Sequence, residues 1–297
     1  MNRFFGRIST RYASGMRFCQ FHDQSNGLRL GAQLADGSVA DISAQYPDLK
    51  SLISAGAEGM SKVSAALGSP ASGVALDSLK MAPVIHNPEK IICIGLNYSD
   101  HCTEQNLTPP KEPVVFNKFP STLVGHGDAI QLPKIGCNTD LEAELAIIIG
   151  KEGRHISKES AFDHVFGYTI ANDVSGRDWQ KKRNGGQWLL GKTFDTFCPL
   201  GPVVATDVDP SNLKISSWIG DDKMQDSNTK FLIFDIPFII NWVSQICTLK
   251  PGDVILTGTP GGVGMHRNPP KFLADGDTCV IEIEGLGRLS NPVKMEE

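Results

Sequence analysis

Asp140-Leu141-Glu142-Ala143-Glu144-Leu145-Ala146-Ile147-Ile148-Ile149-Gly150 is the stretch on which the fold of this chain turns. Its apolar run is strand-sized, β-branched towards its end and closed by Gly150, which reads as a β-strand over Leu141 to Gly150. Alternation along a strand puts Glu142 and Glu144 on one face. Two carboxylates about 7 Å apart, leading into three isoleucines, repel each other in an apolar setting unless a cation or a base pairs them. The alternative is a solvent-facing edge with ordinary acids.

Working outward, Lys90–Gly95, His164–Ala171, Gly201–Ala205, Asp253–Gly258 and Thr278–Glu284 are short apolar runs of the same kind, bounded by Gly, Pro, Asn or Asp. Helical signals are fewer. Ser157 can cap Lys158–Asp163, and Asp235 with Pro237 opens a run to Ile246 that is apolar nearly all round and is expected to be buried. Few, irregularly spaced helices argue against a doubly wound sheet and for a strand-dominated α+β domain over residues 84–297. Residues 21–83 read as a small, less apolar N-terminal domain. It holds a hairpin, Leu28–Leu34 and Ser38–Ile42 around Asp36-Gly37, then short helices over Leu49–Ser54 and Gly59–Leu67. A Ser/Gly/Pro-rich loop, Gly68–Gly73, follows.

The chain has 297 residues, 40% hydrophobic and 21% charged, which is ordinary for a globular protein able to bury a core. A net charge of −5 without a long basic block disfavours nucleic acid as a partner, and no apolar run reaches the length of a membrane span. A small molecule is the expected ligand. Seven scattered cysteines without a Cys-x-x-Cys pair fit reduced thiols. The first 22 residues stand apart, with four Arg (3, 7, 11 and 17) and no acid before Asp23, leaving 24 basic against 33 acidic residues in the remainder. An Arg-rich, Ser-containing, acid-free segment with a shareable apolar face has the make-up of a mitochondrial transit peptide, placed at residues 1–20, and points to the matrix.

A third carboxylate joins the acidic pair. Gly167–Ala171 reads as a strand, and Asn172-Asp173 stands at its end. Glu142, Glu144 and Asp173 form an oxygen-only set suited to a hard cation; no His has ligand spacing, which disfavours zinc. His101 and Glu104 lie one turn apart behind the capping residues Asn97 to Asp100. A carboxylate beside an imidazole suits general acid/base work, the alternative being a surface i,i+3 pair. Gly186-Gln187-Trp188-Leu189-Leu190-Gly191-Lys192-Thr193 obeys the letter of a phosphate-loop pattern. Bulky residues fill the loop and no helical sequence follows, so nucleotide binding is rejected and Lys192 remains a cation near the acids. Thr257–Gly264 is either a tight connection or a backbone cradle for a carboxylate.

From about Glu89 to Lys294 these blocks resemble the fumarylacetoacetate hydrolase family. The resemblance rests on Lys90–Tyr98, Asp140–Leu145, Asn172–Asp178, Gly191–Asp195 and Pro251–Pro260, and the tract from Arg177-Asp178-Trp179 to Pro202 looks most like its mitochondrial branch. It implies a mixed β-roll catalytic domain, a homodimer, and Mg²⁺ or Mn²⁺ held by Glu142, Glu144 and Asp173. It implies His101 and Glu104 on a lid as catalytic residues, with Lys192 beside them, and Arg177, Gln180 and Thr259 contacting substrate or the metal's waters. The activity it implies is on 2-oxo dicarboxylic acids, keto–enol tautomerisation of oxaloacetate first, with acylpyruvate hydrolysis, decarboxylation and a non-catalytic organic-acid binder as alternatives.

Overall fold

A computed structural model describes residues 15–68 and 72–297. Most of the proposed transit segment, and the middle of the Gly68–Gly73 loop, fall outside these residues. Two mixed sheets dominate, and helices are few and short.

The strand Ala143–Ile149 is buried along its whole length at the middle of the larger sheet. It runs antiparallel to Val165–Asn172 on one side and to Val254–Leu256 on the other. Being covered on both faces explains why it reads as continuous apolar sequence. Leu145, Ile147 and Ile149 pack in one core with Ile239, Ile240 and Val243 of the helix Ile236–Ile246. Ala146 and Ile148 turn into a second core with Phe18, Leu30, Leu49 and Leu52 from the N-terminal region. Val254–Leu256 continues the sheet through parallel pairing with Ile91–Gly95, which pairs in turn with Val114–Lys118. All six expected strands are present within a few residues of their expected ends.

The N-terminal segment joins this same sheet. Arg17–His22 lies between Leu28–Gln33 and Cys198–Ala205, with Arg17 opposite Ala205. The hairpin forms as Leu28–Gln33 and Val39–Asp41, with Gly37 at φ +86° supplying the turn, and the two helices form at Leu49–Ser54 and Gly56–Leu67. The smaller sheet runs Asp222–Asn228, Lys214–Ile219, Thr278–Ile283, Gly287–Met295, Ile130–Leu132.

Two helical expectations change. Lys158–Asp163 yields only a 3₁₀ turn at Ala161–His164, because Ser157 bonds to Ser160 and closes a local turn instead of capping a helix. The helix Ile236–Ile246 is capped by Asp235 as expected, but only its Ile236/Ile239/Ile240/Val243 side is buried, and Ile246 is 65% exposed at its end. All seven cysteines are free thiols.

Candidate metal centre and active site

Glu142 stands just before the central strand, Glu144 is its second residue, and Asp173 follows directly on the neighbouring strand. The backbone N–H of Asp173 donates to the Glu142 carbonyl at 2.9 Å, so the antiparallel pairing itself brings the three acids together. All three are buried, and one carboxylate oxygen from each lies within 4.8 Å of the others.

Such a cluster cannot be buried without counter-charge. Lys192 Nζ donates to Glu142 Oε2 and to Asp173 Oδ2, both at 2.8 Å. Arg177 Nη1 lies 2.7 Å from Glu142 Oε1. Lys118, which sequence reasoning passed over, is also fully buried. Its ammonium donates to the carbonyls of Val174 and Lys192 and lies 2.8 Å from Asp173 Oδ1. That carboxylate oxygen has a charge neighbour but no well-directed hydrogen bond.

The acids are therefore unequal. Glu142 is desolvated, yet Lys192 and Arg177 outweigh burial and hold it below the usual carboxylate range. Among the described residues, Glu144 accepts one hydrogen bond, from the Gly258 N–H at 2.6 Å. Burial, then repulsion from Asp173 and Glu142, pushes its carboxyl well above the ordinary value. Burial opposes the charge on Lys192, but Asp173 and Glu142 raise its ammonium to about 12. Lys192 is thus a fixed cation and not a base at neutral pH. An under-neutralised Glu144 and an all-carboxylate donor set fit a hard divalent cation. With Asp140 included, four buried carboxylates face the three buried cations Arg177, Lys192 and Lys118. A bound +2 ion converts that excess of one negative charge into one positive, which favours an anionic ligand.

The glycine-rich turn completes the cradle. Gly258 has φ +106°, and a Cβ there would stand 2.8 Å from Asn97 Cβ, so glycine alone lets the backbone bring its N–H to Glu144. Asn97 fixes the opposing loop by donating to the carbonyls of Thr257 and Phe234 and accepting from the Phe234 N–H. From this anchor the short helix Ser99–Glu104 carries His101 into the pocket. His101 Nδ1 and Glu104 Oε2 are 2.9 Å apart, and the other Glu104 oxygen accepts the Gly262 N–H at 2.8 Å. The pair is therefore built into the site and is not a surface ion pair. With Nδ1–H donating to Glu104, Nε2 holds the lone pair, and the side-chain amide of Gln105 covers it at 2.8 Å.

Arg177 is clamped by Asp140 Oδ2, at 3.0 Å to Nε and 2.8 Å to Nη2, and reaches Gln180 Oε1 through Nη1. Asp140 is held in turn by the N–H groups of Gly264 and Met265. The Thr259 hydroxyl donates to the Ala143 carbonyl and accepts from Gln225, while still lining the pocket. All nine residues singled out in the sequence thus meet in one region. Lys118, Asp140, Gln105 and the pocket-lining His266, edge-on to His101 at 5.9 Å, were missed, because a buried lysine or a supporting acid has no local pattern. The phosphate-loop lookalike is no nucleotide site: Lys192 ends a four-residue helix and turns into the acids.

Residues 90–294 match the family model for the C-terminal domain of fumarylacetoacetate (FAA) hydrolase, and the chain belongs to that family. Among its relatives, a Xenopus laevis protein named oxaloacetate tautomerase fahd2, mitochondrial, is 49% identical over 96% of this chain and 92% of its own length. The human oxaloacetate tautomerase FAHD2A, mitochondrial, is 53% identical over 72% of this chain and 68% of its own. The solved maleylpyruvate hydrolase of Sphingobium, in complex with manganese(II) and pyruvate, superposes with a TM-score of 0.77 at 32% identity, covering 95% of this chain and 100% of that one.

Proposed function

We propose that this chain is a divalent-metal-dependent oxaloacetate keto–enol tautomerase that works in mitochondria. The observation that carries the reading is the proton-transfer pair His101–Glu104 set beside a buried acidic triad and a fixed lysine cation. The FAHD2 relatives bear the name of that activity. Glu142, Glu144 and Asp173 are assigned to the cation, Mg²⁺ in the cell with Mn²⁺ as a substitute. When bound, that cation supplies Lewis acidity at the 2-oxo acid end of the substrate.

The chain's own residues do the rest. Lys192 places positive charge next to the oxygen on C2, where negative charge accumulates as the C3 proton moves. Glu104 holds His101 in the tautomer whose Nε2 carries the lone pair. Substrate displaces the Gln105 amide from Nε2, which then shuttles one proton between C3 and the C2 oxygen. No other bond forms or breaks. Arg177, Gln180 and Thr259 shape the chelating end of the pocket.

Enol loss and pyruvate release should be followed separately with oxaloacetate. Treatment with EDTA is expected to reduce enol loss to the buffer rate, and Mg²⁺ or Mn²⁺ to restore it, without release of pyruvate. Full activity after EDTA contradicts the metal assignment. Acylpyruvate hydrolysis is the second reading, favoured by the maleylpyruvate hydrolase fold with pyruvate in its complex. Efficient acylpyruvate cleavage without accelerated enol loss makes it the correct one.

For localisation, we propose that the basic segment ahead of Arg17 is a transit peptide, shorter than the expected residues 1–20, and that the N-terminal part, from the strand Arg17–His22 to residue 83, and the catalytic part 84–297 form a homodimer subunit. Because Arg17–His22 is a sheet strand, cleavage is expected before Arg17. Sequencing the N-terminus of protein isolated from mitochondria tests this; a start at Met1 or Asn2 refutes it.

A further inference from the structure

Three long cationic side chains line the pocket beside the acidic triad, and two are already committed. Arg177 is bound to Asp140 and Glu142, and Lys192 to Glu142 and Asp173. Lys181, the last residue of the helix Arg177–Lys181, takes part in none of the ion pairs among the described residues. Its ammonium lies over the indole of Trp188, 5.6 Å from the ring centroid, and Trp188 packs edge-on against Phe116 at 5.3 Å. The charge is thus held on an aromatic platform at the pocket mouth. Lys181 is exposed as a residue, with its ammonium only partly desolvated, and Arg177 and Lys192 add like-charge repulsion that Glu142 only partly offsets.

The proposed substrate has two carboxylates, and only one belongs to the 2-oxo acid end that faces the triad. The other sits beyond C3. We infer that Lys181 binds this remote carboxylate and makes the site selective for 2-oxo dicarboxylates over 2-oxo monocarboxylates, an inference that rests on the function proposed above. The other polar groups at that end suit the role less well. Gln105, released from His101 when substrate binds, is a neutral amide and makes a weaker hydrogen bond to a carboxylate than an ammonium does. The positive form of His266 is opposed by burial and by the charges of Arg177 and Lys181, against which Glu104 acts.

Oxaloacetate and 2-oxobutyrate are a matched pair, differing by a carboxylate in place of a methyl group, while oxalate mimics the chelating end alone. Affinity of the Mn²⁺-loaded protein for oxalate is measured by calorimetry, and the other two ligands by displacement of oxalate. Wild type is expected to prefer oxaloacetate over 2-oxobutyrate by about 10- to 100-fold, the range of a hydrogen bond between charged groups. In Lys181→Met that preference should fall to about twofold or less, with oxalate and 2-oxobutyrate bound as before, and Lys181→Arg should recover most of it. The inference is overturned if wild type shows no preference, if Lys181→Met keeps it, if all three ligands weaken alike, or if His266→Gln abolishes it and Lys181→Met does not. These ratios do not depend on turnover, so a failure of the tautomerase reading shows separately, as absent enol loss in wild type.

Discussion

Glu144→Gln protein is expected to bind Mn²⁺ about 100-fold or more weakly and to lose turnover, yet to melt above wild type in EDTA. Losing an outer-shell partner alone typically costs 10- to 100-fold in metal affinity, and a direct ligand costs at least the top of that range. The rise in melting temperature follows from the environment of Glu144. It is buried and faces Asp173 and Glu142, and the charge of Lys192 and the Gly258 N–H only partly relieve it, so its charged form costs free energy in the metal-free fold. A carboxyl raised above its unfolded value binds more protons folded than unfolded, so its ionisation removes stability as pH rises above the ordinary carboxylate range. The gap between variant and wild type should therefore narrow as pH falls, since protonation does to Glu144 what the amide does permanently. Asp173→Asn should behave oppositely. It takes away the anion that Lys118 and Lys192 share, and leaving a buried charge unpaired costs about 3–5 kcal/mol. Thermal melts of both variants with EDTA, at neutral pH and near pH 5, check the pair. A Glu144→Gln protein that melts below wild type in EDTA refutes the assignment of Glu144 as the strained ligand.

His101→Ala is expected to lower enol turnover by about 10²- to 10⁴-fold, the usual span for a lost general acid/base. Oxalate and Mn²⁺ should bind as before, since the contacts assigned to them come from Glu142, Glu144, Asp173 and Lys192. Glu104→Gln should also be severe, by about 10²-fold or more, because a wrong imidazole tautomer has a large cost. The two Glu104 oxygens accept from His101 Nδ1 and from the Gly262 N–H. Glutamine has one acceptor for two donors. Either it loses Gly262 or it turns its NH₂ towards Nδ1, which moves the imidazole proton to Nε2 and removes the base. Single-turnover rates beside oxalate calorimetry separate this from damage to the metal site: a Glu104→Gln protein at wild-type rate removes Glu104 from the mechanism.

The strands were legible because each carries a short apolar run with a Gly, Pro or Asp boundary, and Ala143–Ile149 showed this most strongly. The carboxylates of the site were legible for the same reason, since Glu142 and Glu144 interrupt an apolar strand and Asp173 ends one. What supports them was not. Lys118 lies on a strand that alternates between exposed and half-buried residues, and nothing local distinguishes it from a solvent-facing lysine. Gln105 follows the helix that bears His101 and looks like an ordinary surface amide. Arg17–His22 was hidden for a different reason. Its arginine and neighbouring polar residues blend into the basic segment before it, and its partner strand is far away in sequence. Local pattern cannot report pairing that only the completed sheet defines.

That pairing bears on how the protein is made. Arg17–His22 is interior to the larger sheet, yet its neighbour on one side is Cys198–Ala205. This strand, the earliest in sequence among the described residues, must wait until most of the chain has followed before it can be seated against that neighbour. Until then Phe18 lacks its place against Phe166, the apolar edge of Cys198–Ala205 stands open, and both can be captured by holdase chaperones. Trimming that removed the first strand would reopen that edge permanently in the finished sheet. The segment just beyond the proposed cleavage point thus acts as the closing seam of the molecule, and a late-folding N-terminus is built into its topology.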